Sequence, residues 1–408
     1  MKDIGRNYEI AKEIYAEHGV DTDKAIEIAK STPISINCWQ LDDLTGFENP
    51  DMKLSGGIEA TGNAPGKPKN KEEYMKHLDT ALSYIPGYTK LALHAVYSDT
   101  KGKPVERNEI EPEHFAFWVD YAKEKHIALD FNPTYFSHRN SESGFTLASK
   151  DKAIRDFWIE HGKRSRKIGA YFGKELGVPC ITNHWIPDGF KDSTIDKLGP
   201  RQRLAASLDE IFSEALNPKE NIDSVESKLF GLGSESYVAG SHEFYTNYAA
   251  SRQNCIVCMD AGHFHPTETI SSKITSYLVF GKELMLHLSR PVRWDSDHVI
   301  VVDDELKAIM EEIVRSDAFD RIHIGLDFFD ASINRISGTV IGARNARKAL
   351  LMALLEPTGE LKAAEMGDNI TKRLVLLEET KTMPFGFVWD MLCEQEQVCG
   401  SDWLSKIL

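Results

Sequence analysis

Long apolar runs are missing from this chain. None approaches the roughly 20 residues that a membrane-spanning helix needs, and the opening MKDIGRNYEI is polar where a secretory signal would be apolar. Cysteine is sparse, six in 408 residues, at positions 38, 180, 255, 258, 393 and 399. Only Cys255 and Cys258 form a C-x-x-C, inside the apolar run CIVCMD. With no second pair and no redox-helix context they read as buried thiols rather than a zinc or redox site. Positive charge is also short: 48 Lys and Arg stand against 63 Asp and Glu, a net charge of −15. That argues against binding a nucleic-acid backbone, which needs clustered cations. A glycine-rich phosphate loop is lacking too, since Gly231-Leu232-Gly233 is only a fragment of one. The sequon Asn369-Ile370-Thr371 is idle without secretion. These absences together point to a reduced, soluble, cytoplasmic protein with neither a nucleic-acid nor a membrane partner.

What the chain does contain is a rhythm. Short apolar segments recur at 34–39, 90–94, 127–132, 180–185, 228–233, 255–260, 284–289 and 322–327. Near-continuous apolar strands suit a parallel sheet buried on both faces. Helical patterns separate them. PEHFAFWVDYAKEKH (112–126) opens with Pro and ends basic, and the stretch from Ile154 stops at Gly177. Eight such alternations predict a (β/α)8 TIM barrel, an α/β fold, with a doubly wound open sheet as the alternative. Residues 1–32 read as a helical lead-in, 33–345 as the barrel and 346–408 as a helical extension. The Gly-, Asn- and Pro-rich stretch 42–73 follows the first strand, where a barrel's functional loops lie.

Carboxylates and imidazoles sit at the ends of the later segments. Asp295 and Asp297 form a D-x-D whose side chains share one side if the segment is extended. Asp260 and His263 are three apart, with Gly262 giving the turn its freedom. Glu226 and Lys228 share a face if 225–233 is a strand. A cation beside Lys228 would lower its pKa. His287 lies within LMLHLS and by itself reads as a satisfied core histidine. Asp327 ends an apolar run, and a buried carboxylate there needs a cation or several donors. His265 and Asp330 read as bystanders, the latter exposed or capping. His94, Trp185 and Phe131 end strands, where they could wall a small ligand or simply pack. Mixed carboxylate and imidazole donors favour a divalent cation such as manganese, cobalt or zinc.

The strings SINCWQ, GGIEATGN, LDFNP, FSH, WIPDGFKD, VESKLFG, DAGHFHPTE, SRPVRWDSDH and HIGLDFFDASINR strongly resemble the L-rhamnose isomerase family from about residue 30 onward. A more distant resemblance is to D-xylose isomerases. Those use Glu-x-Lys, an acidic residue three before His, and Asp-x-Asp, matched by Glu226/Lys228, Asp260/His263 and Asp295/Asp297. Asp260 in place of Glu, and His287 in place of a carboxylate, depart from the xylose pattern and agree with the rhamnose branch. The resemblance implies a (β/α)8 barrel, a homotetramer and two divalent metal ions per chain, with manganese favoured over cobalt or magnesium. It also implies interconversion of L-rhamnose and L-rhamnulose by a hydride shift between C1 and C2. It places Glu226, Asp260, His287 and Asp327 on a first metal, and His263, Asp295 and Asp297 on a second, with Asp260 bridging. Trp185, Phe131, His263 and Asp295 then lie by the sugar. Lys228 or Asp327, through a water, would move the hydroxyl proton, and His94 would open the ring. The rivals are another aldose–ketose isomerase or a one-metal sugar 3-epimerase on the same barrel, a metal endonuclease disfavoured by the charge, and a sugar- or metal-binding protein without turnover.

Overall fold

The computed structural model describes residues 3–48, 62–229, 236–265, 267–293 and 295–407. Eight parallel strands close into a barrel: β1 Ile34–Asn37, β2 Thr89–His94, β3 Ala128–Asn132, β4 Cys180–Trp185, β5 Asn221–Glu226, β6 Cys255–Asp260, β7 Leu284–Leu288 and β8 Ile322–Leu326. Each pairs with its sequence neighbours, and β1 pairs with β8 to close the ring. This is the (β/α)8 architecture that the strand–helix rhythm predicts.

Seven strands fall where the apolar segments place them, within a residue or two at the ends. β5 does not. The expected strand at 228–233 is irregular over Lys228 and Leu229, and the rest of it lies outside the described residues. The strand is the preceding NIDSVE, whose polar residues hid it. Asn221 and Asp223 are satisfied on the face turned to the helices. Arg166 grips the Asp223 carboxylate through Nε and Nη2 at 2.8–3.0 Å, and Thr182 donates to Asn221 at 2.5 Å. A buried charge is tolerable when paired and hydrogen-bonded in this way.

The helix Lys152–Leu176 ends at Gly177, whose φ of 71° is the left-handed conformation that a side chain resists. Helices Ile4–Ala16 and Thr22–Ser31 precede the barrel. They share one apolar cluster with Leu351, Leu355 and the C-terminal helix Phe385–Gln395. The two chain ends thus pack on each other. Helix Arg335–Leu354 crosses residue 345, so the C-terminal helices continue directly from the barrel's last helix. No helix among the described residues is long and apolar enough to cross a membrane. Residues 49–61 of the 42–73 stretch lie outside the described residues, and its end, from Lys71, is already helix Lys71–Leu82.

Asp223→Asn strands the buried Arg166 guanidinium. Denaturant unfolding should show a loss of about 3–5 kcal/mol relative to the parent; a loss below 1 kcal/mol would mean that the pair does not hold β5 to its helix.

Candidate metal centre and sugar pocket

The strand register brings the scattered motifs together. Glu226 ends β5, Asp260 ends β6, His287 lies on β7 directly opposite Asp260, and Asp327 follows β8. All four sit at the C-terminal mouth of the barrel, where parallel-barrel chemistry is found. One ligand atom from each lies within 4.8 Å of all the others. His287 Nδ1 is 3.1 Å from Glu226 Oε2, 3.2 Å from Asp327 Oδ2 and 3.8 Å from Asp260 Oδ2. Yet neither ring nitrogen makes an aligned hydrogen bond. A buried imidazole among three carboxylates, its nitrogens unbonded, fits a cation held between them.

A second trio, Asp260, His263 and Asp295, meets the same distance limit and shares Asp260 with the first. The Ser227 carbonyl can only accept, so His263 Nδ1 carries the proton and donates to it at 2.8 Å. Nε2 faces Asp295 Oδ2 at 3.3 Å and lies in hydrogen-bond contact with Lys228 Nζ at 3.0 Å. Asp295 Oδ1 is buried without a hydrogen bond.

Two local expectations change. Asp297 has a φ of 48°, so the D-x-D is a turn and not an extended segment. Asp297 is not in either close-packed donor set among the described residues, although its carboxyl feels Asp295, Lys228, Asp327 and Asp260. Trp294 between the two lies outside the described residues. Gly262 is needed for space rather than freedom: a Cβ there would stand 2.6 Å from Asp295 Oδ1. Its N–H also donates to Asp260 Oδ1 at 2.5 Å.

The electrostatics follow from crowding. Burial pushes the Asp260 carboxyl up to about 8, with Asp327 and Glu226 adding to the rise. Burial and Asp295 likewise hold Asp297 well above the usual range. Glu226 stays well below it, because His287 and His263 outweigh its burial. Lys228 donates to Asp295, and its pKa is raised despite burial by Asp295 and Asp297. The expected lowering rested on a cation's field; among the protein's own groups the carboxylates dominate. Such a surplus of buried negative charge is what a hard or borderline dication neutralises.

Beside the acidic cluster lies an aromatic wall. His94 ends β2, with Trp39 edge-on at 4.9 Å and Phe136 edge-on at 5.7 Å. Trp185 packs on Phe136 at 5.2 Å and lies 5.1 Å beneath Lys228 Nζ. Phe131 does not join them. Its ring turns to the helix layer, against Phe115 at 5.1 Å and Phe172 at 5.8 Å. Side chains alternate along a strand, so Phe131 and the inward Asn132 face opposite ways. Phe136, in the FSH string, stands where Phe131 was expected. The His265 ring bonds Thr267 at the surface, and Asp330 caps Ser332.

Four supporting residues escaped the sequence reading. Trp39 Nε1 donates to Asp327 Oδ1 at 3.1 Å, and Asn183 Nδ2 to Glu226 Oε2 at 2.5 Å. Thr134 Oγ1 meets His94 Nδ1 at 3.1 Å. Arg107 then fastens the Thr134 segment by donating to the carbonyls of Thr134, Phe136 and Ser137. Burial and the Arg107 charge push His94 down to about 3, so it is neutral at physiological pH. Trp39 and Phe136 were within quoted strings, but their partners lie far away in sequence.

The chain matches the L-rhamnose isomerase (RhaA) family over residues 2–408. L-rhamnose isomerases of Escherichia coli K12 and of E. coli O9:H4 strain HS are each 56% identical over 403 residues, 98% of this chain and 95% of theirs. The chain belongs to the L-rhamnose isomerase family. It is therefore an aldose–ketose isomerase on a TIM barrel. A solved L-ribulose 3-epimerase shares the fold at a TM-score of 0.52 and 10% identity, covering 81% of this chain and 97% of its own.

Thr134→Val should remove the hydroxyl that orients His94. Steady-state kinetics should show kcat down about fivefold, the worth of one hydrogen bond of about 1 kcal/mol, with KM little changed. Thr134→Ser should restore it. Full kcat in Thr134→Val would remove Thr134 from the site.

Proposed function

We propose that the chain interconverts L-rhamnose and L-rhamnulose with two divalent metal ions, manganese first and cobalt or magnesium as alternatives. The observation that carries this reading is the pair of buried donor sets meeting at Asp260. Glu226, Asp260, His287 and Asp327 would hold the first ion. His263, Asp295 and Asp297 would hold the second, with Asp260 between. When bound, such ions fix the open-chain sugar and polarise O1 and O2 as Lewis acids.

The chain's own groups do the rest. His94, neutral and held by Thr134, meets the ring oxygen and assists opening. Trp185 and Phe136 form the apolar wall that excludes water and positions the chain for hydride transfer between C1 and C2. Lys228, charged and anchored by Asp295, stabilises negative charge developing on the sugar oxygens and stands ready to move the hydroxyl proton. Asp327, with Oδ1 tied to Trp39, is the other proton carrier, through a water. His263 and Asp295 also reach the sugar.

We further propose a cytoplasmic homotetramer organised as 1–32, 33–345 and 346–408. Exposed Met366, Ile370, Leu374 and Val375 on neighbouring C-terminal helices give association an apolar face to cover.

Chelation should abolish ketose formation from L-rhamnose and added Mn2+ should restore it; activity surviving exhaustive chelation would refute metal dependence. Asp295→Asn should keep the fold by circular dichroism and lose at least about a hundredfold in kcat. Ketose formed in D2O should carry no carbon-bound deuterium, whereas label at C1 or C2 would replace the hydride shift with an enediol route.

A further inference from the structure

Cys258 lies beneath the first donor set and no step above uses it. It is on β6, two residues before Asp260, so both side chains point into the barrel. In the sheet it is paired with Glu226. Its thiol is fully buried, and its sulfur, a Glu226 carboxylate oxygen and a His287 ring nitrogen all lie within 4.8 Å of one another. His287 is 2% exposed, and neither ring nitrogen makes an aligned hydrogen bond, although Nδ1 lies 3.1 Å from Glu226 Oε2.

We propose that Cys258, Glu226 and His287 form an alternative site for one thiophilic divalent cation, such as zinc or cadmium. The charges balance: a thiolate and a carboxylate supply two negative charges for a dication, and a neutral imidazole completes the set. On binding, the S–H bond breaks, a sulfur–metal bond forms and the proton leaves to solvent. No oxidation occurs. Sulfur selects soft cations, whereas the neighbouring oxygen-rich set selects harder ones. Glu226 and His287 are common to both, so a thiophilic cation competes with the harder one for two of its ligands. The inference rests on reading Glu226 and His287 as cation ligands.

The test uses the full chain, stripped of metal by chelation and titrated with Cd2+ while thiolate-to-cadmium absorption is followed in the ultraviolet. Wild type should develop a saturable band worth one thiolate per chain, and preloaded Mn2+ should shift the titration to higher Cd2+. Cys258→Ser and Cys258→Ala should lose the band, and Cys255→Ala should keep it. A band undiminished in both Cys258 variants, or Cd2+ bound by wild type without any band, overturns the proposal. Mn2+ binding by Glu226→Gln, followed by electron paramagnetic resonance, separates the two failures. Unchanged Mn2+ binding there removes the ligand assignment and the shared site with it. Weakened binding there, together with a missing Cys258 band, removes the thiol's role alone.

Discussion

Glu226, Asp260, Asp295, Asp297 and Asp327 are crowded into one barrel mouth, and like charges at that density repel strongly away from bulk water. The surroundings answer this crowding group by group. Lys228 pairs with Asp295, His263 and His287 stand between carboxylates, and Asn183 and Trp39 bring single N–H donors to Glu226 and Asp327. Asp260 is left with burial winning, its carboxyl pushed up to about 8. It is also the residue common to both donor sets. A carboxylate whose charged form is so disfavoured by burial has much to gain from a cation on either side.

The barrel makes this crowding possible. Parallel pairing puts the ends of β5, β6, β7 and β8 side by side, and the Asp260–His287 register aligns two donors across one strand gap. The opposite side of the mouth is neutral and aromatic. His94 is kept uncharged by burial and the Arg107 cation, and is bracketed by Trp39 and Phe136. Trp39 touches both halves, donating to Asp327 while its ring edges onto His94. A polar sugar with an apolar face meets both kinds of wall in such a mouth.

Most of the barrel was legible because buried parallel strands are apolar throughout. β5 was not, because Asn221 and Asp223 are compensated by partners such as Arg166, which lies 57 positions before Asp223. No local pattern carries that compensation. The site shows the same division. Residue types at strand ends marked Glu226, Asp260, His287 and Asp327 as a group. The turn at Asp297 and the outward ring of Phe131 depend on backbone angle and strand phase, which spacing left open.

The sequence by itself determined the strand–helix alternation, the donor types and the family, because these rest on local periodicity and on long strings of specific residues. Tertiary structure alone decided which donors meet, that Phe136 rather than Phe131 faces the mouth, and that Thr134 holds His94. It also decided that a cysteine resembling core packing lies against Glu226 and His287. Those outcomes depend on strand register and side-chain phase, which are set by packing between segments far apart in the chain.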